Sequence, residues 1–304
     1  MTNDIKAKSA TAFADSANKC AEPVAALDFE TALMLEARQF EARSQVEEGK
    51  GPRPLRLIVV DLEFAYDRDA YEGYKVAEGA GAEKDIRWPF HAIACASWMI
   101  LRFDPSAEVP VVEEVTTLAN DEANEAEIAA RLFGVLELHP GARLITWGGE
   151  SKDLAVLRRV AAAAGLLLPP QLLDPHPHSR HRLDLCRAVS GSARFPHLPE
   201  FAAAIKVPCK PAAAKEVGPL VEREEWEKVR DQCLADVLTT CVIALQHLAA
   251  SGAVTCHRQR SIAAIAEAAS KAMPRSAFVR NTFAPWARAR LAESRLSGAI
   301  YRAG

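Results

Sequence analysis

The sequence predicts an α/β fold, a mixed sheet that begins as an antiparallel meander and carries helices on its faces. Three observations predict it. Leu57 to Phe64 reads Leu-Ile-Val-Val-Asp-Leu-Glu-Phe, an apolar β-branched run of the kind that is buried on both faces of a sheet. Phe90 to Leu101 and Val109 to Leu118 follow as two more strand-like stretches joined by the Asp104-Pro105 turn, and a short connection of that kind makes neighbours antiparallel. Beyond them, helical stripes alternate with one more short apolar run.

The first strand carries the main chemical signal. Asp61 and Glu63 interrupt it two residues apart, so their side chains share one face. Paired carboxylates at the inner end of a buried strand are unfavourable unless a cation compensates them, and a divalent ion is the usual one. The alternative is a strand that ends at Val60 with two solvated acids after it.

At 304 residues the chain can bury one sizeable core with appendages. Seven cysteines, an odd number with no Cys-x-x-Cys pair, fit free thiols in a reducing compartment better than bridges or zinc. Neither a membrane span nor a secretory signal is indicated, which favours a cytoplasmic protein. The formal charge of −3 conceals an asymmetry: the first fifty residues lean acidic, whereas the segment after Ser251 sets many arginines against only Glu267 and Glu293. Such a segment suits a polyanionic partner or an acidic neighbouring surface.

Taken in order, residues 1 to about 25 lack a clear period, and Asp28 to Glu48 roughly follows helical spacing. Gly49 to Pro54 is breaker chemistry that hands the chain to the first strand. Ala65 to Pro89 reads as a polar loop holding Tyr66, Tyr71, Tyr74 and Trp88, rings that either stack on bases or pack on the sheet rim. Glu125 to Leu138 is helical and is stopped by His139-Pro140-Gly141. Arg143 to Trp147 is a short strand, and Gly148-Gly149 turns it into a helix capped by Ser151, with Leu154, Leu157, Val160 and Ala164 as its apolar stripe. Asp153 therefore stands in a first helical turn at a strand tip, where the helix dipole alone also favours an acid.

The His- and Pro-rich stretch from Asp174 to His181 has alternating prolines and no zinc spacing, so it reads as a lid that touches phosphates. A short helix begins near Leu198. From about Glu222 to Ala250 the residues Trp226, Val229, Cys233, Val237, Cys241, Ala244 and Leu248 are spaced for one buried face. Asp236 lies beside that face, with Gln232 one turn earlier on the same side.

Asp61, Glu63, Asp153 and Asp236 thus form a set of oxygen-only donors from separate elements, which suits Mg2+ or Mn2+. Two such ions about 3.5 to 4 Å apart can serve both the attacking and the leaving oxygen of a phosphodiester. In this arrangement the chain resembles the DEDD 3'-5' exonucleases of the DnaQ-like, ribonuclease H-like fold, and most closely their predicted polymerase-B-like branch. Val-Val-Asp61-Leu-Glu63-Phe is similar to the first motif, Ile145-Thr-Trp147-Gly-Gly-x-x-x-Asp153-Leu to the second and Gln232-Cys-Leu-Ala-Asp236-Val-Leu-x-Thr to the third. His181-Arg-Leu-Asp184-Leu-Cys186 resembles a further segment of that branch.

The resemblance covers roughly residues 55 to 250, leaving an N-terminal tail and helix (1–54) and a basic helical extension (251–304) on either side. It implies removal of nucleotides from a nucleic-acid 3' end, single-stranded DNA in preference to RNA, with the four acids holding two divalent cations and Trp147 near the substrate. Gly148 and Lys152 depart from the usual second motif. The third motif normally places Tyr four residues before its Asp, or His five before it, to orient or deprotonate water. Here those places hold Gln232 and Asp231, and glutamine can orient a water but not take its proton.

Three readings follow: a metal-dependent exonuclease, with an oligoribonuclease-like enzyme as its near relative; a non-catalytic nucleic-acid-binding protein; and an assembly subunit whose ends hold partners. In the C-terminal segment Phe278, Phe283 and Trp286 alternate with Arg275, Arg280, Arg288 and Arg290. That pattern fits either a grip on a nucleic-acid strand, through stacking and the Arg288 and Arg290 phosphate contacts, or amphipathic packing.

Overall fold

Strand β1, Leu55–Tyr66, runs through the middle of the sheet, and its side chains divide as strand alternation requires. Leu57 and Val59 enter the core on one face, Ile58 and Val60 on the other, and all four are buried. The strand does not end at Val60. It continues through Asp61 and Glu63, which share the side of Leu57 and Val59, and its pairing slips between Glu63 and Phe64. Such a bulge bends the strand and re-aims the side chains beside it.

The computed structural model describes residues 54–300, apart from 106, 178 and 212–215 and the side chains of 296–300. Residues 53–304 form one compact unit. The helix expected from Asp28 to Glu48 lies outside the described residues. After β1 the chain runs α1 (Arg68–Glu78), β2 (His91–Phe103), β3 (Val111–Ala119), α2 (Glu125–Leu138), β4 (Arg143–Thr146), α3 (Asp153–Ala164) and α4 (Pro170–Leu173). It continues with β5 (Arg182–Asp184), α5 (Leu185–Ser190), α6 (Leu198–Ala204), α7 (Val217–Glu222), α8 (Trp226–Ala250), α9 (Arg258–Ala272) and α10 (Ala284–Ile300). The sheet order is β3-β2-β1-β4-β5: β1, β2 and β3 form the expected antiparallel meander, while β4 and β5 add to the other side in parallel.

Two layers of helix cover the two faces. Ile58, Val60, Ile100 and Leu144 pack against Ile128, Leu132 and Leu136 of α2 and Leu154, Leu157 and Val160 of α3. Leu57, Val59, Met99 and Ile145 pack against Leu238, Val242 and Leu245 of α8. Helix α8 is buried without a break from Gln232 to Leu245, not along one face, because the sheet lies on one side of it and the C-terminal segment on the other. Its length and mean hydropathy of 1.6 would suffice to cross a membrane, but here it is the central helix of the core.

The structure corrects several local expectations. Ala65 to Pro89 is not simply a loop, because Asp67 caps α1 by accepting from the Ala70 amide at 2.9 Å. Tyr71 and Tyr74 pack on Phe90, and the Tyr71 hydroxyl donates to the Glu83 and Lys84 carbonyls. Those two rings hold the rim, while Tyr66 and Trp88 remain partly exposed. Ser151 does not cap α3; it closes a one-turn 3-10 helix, donating to the Gly148 carbonyl at 2.6 Å, and Lys152 takes the cap position. The buried stripe of α3 ends at Ala161, and Ala164 is exposed. Phe278 and Phe283 are buried in the same core as α8, with Trp286 packed against them, so packing explains those rings better than stacking on a strand.

The turn from β4 into α3 depends on two glycines for different reasons. Gly148 adopts φ +73°, a left-handed conformation that side chains disfavour. A Cβ on Gly149 would lie 2.7 Å from both Cβ and Oγ1 of Thr146. Gly149→Ala should therefore lower unfolding stability by about 1–3 kcal/mol, as overpacking does, with a matching fall in the midpoint of urea denaturation. An unchanged midpoint would show that Thr146 gives way freely.

Candidate active site

Three elements converge on one cleft. β1 supplies Asp61 and Glu63, α8 supplies Asp236, and the first residue of α3 supplies Asp153. One carboxylate oxygen from each of Asp61, Glu63 and Asp236 falls in a group whose members all lie within 4.8 Å of one another. Asp153 lines the same cleft of about 310 Å³ but stands outside that tightest group. Asp236 is 4% exposed, Glu63 7% and Asp153 8%. The strand periodicity explains the meeting, since the side of β1 that carries Leu57 and Val59 is the side α8 covers.

A backbone-and-carboxylate frame holds Asp153 in place. Asp184, at the end of β5, accepts from the Gly148 amide at 2.8 Å and from the Glu150 amide at 3.4 Å, tying the β4–α3 turn to the neighbouring strand. Glu150 in turn accepts from the buried Arg182 guanidinium at 2.7 Å. Arg182 also donates to the carbonyls of Gln171, Asp174 and His176, so the His- and Pro-rich stretch is held by an arginine. None of the described residues among 174–181 is in the cleft wall, which argues against a phosphate-touching lid.

Lys210 is the residue that sequence reasoning missed. Its ammonium donates to Asp236 Oδ2 at 2.5 Å and to Glu63 Oε1 at 3.5 Å, and its side chain is 9% exposed. The segment that carries it is fixed to α8, because Thr239 Oγ1 donates to the Pro208 carbonyl at 2.8 Å. The available signal was a single lysine between prolines, Pro-Cys-Lys-Pro, with no acidic residue adjacent in sequence. Lys152 brings a second ammonium to the cleft wall, 4.4 Å above the Phe64 ring.

Burial sets the protonation of the acids. It pushes the Asp61 carboxyl well above the usual range, helped by repulsion from Asp236, Glu63 and Asp153. Burial likewise lifts Glu63 to about 7 and Asp153 to about 6 against the pull of Lys210 and Lys152, and it raises Asp236. Burial disfavours the charged form of Lys210 too, but Asp236, Glu63 and Asp61 outweigh it and hold its pKa above the ordinary lysine value.

The donor set fits a divalent cation. Asp61 Oδ2 and Asp236 Oδ1 are buried and have no hydrogen-bond partner among the described residues, and both belong to the three-acid group. Unpartnered buried carboxylate oxygens are strongly unfavourable, and a hard cation with oxygen ligands satisfies them. The residues that would hold it are Asp61, Glu63 and Asp236, with Asp153 on the facing wall.

The other expected site residues divide. Trp147 lines the cleft, half-buried, with its ring 5.1 Å from that of Phe201. Gln232 is 2% exposed, its Oε1 has no partner among the described residues, and it is absent from the cleft wall. Arg288 lines a separate groove between α9 and α10, and Arg290 pairs with Glu293 at 3.0 Å. The structure therefore does not bring Arg288 or Arg290 into the wall of the acidic cleft.

Acids from a central strand and two helix positions face one cleft, and such a carboxylate cluster could hold a divalent cation. The family described as "Predicted 3'-5' exonuclease related to the exonuclease domain of PolB" matches residues 85–286, and the chain belongs to it. The mixed sheet with its helical faces is the ribonuclease H-like fold of that superfamily. No curated protein sequence matches the chain. Among solved structures it is similar to E. coli exonuclease I in complex with a dT13 oligonucleotide, at 14% identity and TM-score 0.38, over 64% of this chain and 41% of that one. It is also similar to the family B DNA polymerase of the archaeon Pyrobaculum calidifontis, at 10% identity and TM-score 0.43, over 74% and 30%. The chain thus spans less than half the length of either.

All four acids have carboxyl pKa values raised by burial, so the stability they contribute is complete below the unfolded-state values and is lost as pH rises through the folded ones. For Glu63 that window runs from 4.5 to about 7, and for Asp153 from 3.8 to about 6. In EDTA the melting temperature should fall between pH 5 and pH 8, and Mg2+ or Mn2+ should raise it most at the upper end. A flat profile in EDTA would contradict the burial of these charges.

Proposed function

We propose that this protein is a metal-dependent 3'-5' exonuclease that hydrolyses the terminal phosphodiester of single-stranded DNA. The observation that carries the reading is the group of Asp61, Glu63 and Asp236, two of them with an unpartnered buried oxygen, in a chain of this family. When bound, two Mg2+ or Mn2+ ions supply Lewis-acid stabilisation of the phosphoryl oxygens and an acidified water. Asp61, Glu63, Asp153 and Asp236 would hold and orient them. Trp147, beside Asp153, offers an aromatic wall for the terminal nucleotide.

The chain has neither the tyrosine nor the histidine that would help deprotonate the water, and Gln232 can take no proton. General acid–base help is typically worth about 100- to 10,000-fold, so hydrolysis should be slower than in an enzyme with such a group, but not absent. The preference for DNA rests on the family resemblance alone. The acids would meet metal and phosphate, which RNA shares.

The burial of Gln232 and the Lys210 pairing with Asp236 favour one other reading, a protein that binds strands without cutting them. Digestion of 3'- and 5'-labelled single-stranded DNA and RNA, with Mg2+, Mn2+ or EDTA, separates the two. Metal-dependent shortening from the 3' end, abolished in Asp61→Asn, is the expected result. Binding without cleavage under every metal condition would establish the other reading.

Arg288 and Arg290 provide a second test, of strand contacts outside the cleft. If both meet phosphates, the double alanine variant should weaken single-strand binding and reduce the slope of log K against log salt by about 1.4. An unchanged slope would assign these arginines to the protein surface only.

A further inference from the structure

The cleft holds two lysine ammoniums among four carboxylates, and their placement bears on how many ions the site accepts. Lys210 lies against Asp236 Oδ2 and Glu63 Oε1, whereas the two fully buried carboxylate oxygens of the cleft without a partner among the described residues are Asp236 Oδ1 and Asp61 Oδ2. Asp236 thereby faces a built-in cation through one oxygen and, through the other, the position it shares with Asp61. Charge counts agree with this division. With all four carboxylates ionised, Lys210 and Lys152 leave two negative charges, which one divalent ion neutralises. A second divalent ion would give the buried cleft a net positive charge before any phosphate arrived, and buried net charge is strongly unfavourable.

We infer that the substrate-free protein binds a single divalent ion, at Asp61 and Asp236, and that the Lys210 ammonium occupies the second cation position. This inference rests on the proposed metal-dependent function. It assigns Lys210 as the residue that sets ion stoichiometry, so a second ion would enter only with the negative charge of a nucleic-acid phosphate. The segment carrying Lys210 is suited to that role. The Thr239 hydroxyl of α8 donates to the Pro208 carbonyl, and Val207 N donates to the Ala202 carbonyl of α6 at 2.9 Å, so the segment is tied to both helices just before Lys210. Lys152 does not compete for this place, because its ammonium sits over the Phe64 ring and donates to none of the three clustered acids.

The test is a Mn2+ titration of the full chain without nucleic acid, read by electron paramagnetic resonance of free and bound Mn2+ and by calorimetry. The wild type should bind one ion per chain. Lys210→Gln should bind two, the second at least about tenfold tighter than any second site in the wild type, since a unit charge at about 4 Å acts strongly in a partly buried site. Spin–spin broadening of the Mn2+ signal in Lys210→Gln, absent in the wild type, would show that its two ions are neighbours. Two ions in the wild type, or one ion in both proteins, would overturn the inference.

If Lys210→Gln fails to fold, Lys210→Met takes its place with the same expected count of two ions, and a count of one in that variant overturns the inference. Failure of the underlying reading looks different: neither protein would bind Mn2+, and Asp61→Asn would change nothing.

Discussion

Four carboxylates gathered at the central strand of a buried sheet are the constraint around which the rest of this structure is arranged. Burial pushes the carboxyl pKa values of Asp61, Glu63 and Asp153 upward and so works against their charged forms. The fold nevertheless gathers them, and it answers the repulsion with positive charge: Lys210 inside the group, Lys152 at the wall, and room for a divalent ion between unpartnered oxygens. Such a cluster is unfavourable for folding and useful for function, a combination typical of sites shaped by chemistry and not by stability.

Rigidity around the cluster comes from contacts that are themselves buried. The left-handed Gly148 and the close-packed Gly149 turn β4 sharply, Asp184 holds the amides of that turn, and Arg182 with Glu150 locks β5 and the following loop. Asp153 therefore begins its helix from a fixed point. On the other side α8 is enclosed along fourteen consecutive positions, Gln232 to Leu245, so the backbone that carries Asp236 is packed on all sides. A site preorganised in this way does not have to reorganise when charge develops on a bound phosphate.

Much of this was legible in the sequence, for identifiable reasons. The alternation of Leu57, Ile58, Val59 and Val60 fixes which side of the strand Asp61 and Glu63 occupy, and the antiparallel meander follows from a short turn. Helix α2 matches its expected bounds because its capping box and its His-Pro-Gly stop are both local signals. Lys210 was not legible, because its partners Glu63 and Asp236 lie 147 and 26 residues away and no local pattern links them. Helix α1 was hidden by its polar composition, whereas for Phe278 and Phe283 the sequence left packing and strand binding both open, and their burial decides for packing. Gln232 illustrates a different limit. Its place in the motif is readable, but its enclosure on all sides of α8 is a tertiary property.

The account stands on the claim that the acids at the end of β1 and on α8 hold a divalent cation. Anomalous diffraction from crystals of the wild-type protein soaked in Mn2+ tests it most directly. The account predicts a peak bridging Asp61 and Asp236, absent from crystals of Asp61→Asn. Well-ordered crystals with no peak in the cleft, or with a peak that Asp61→Asn leaves in place, would contradict it.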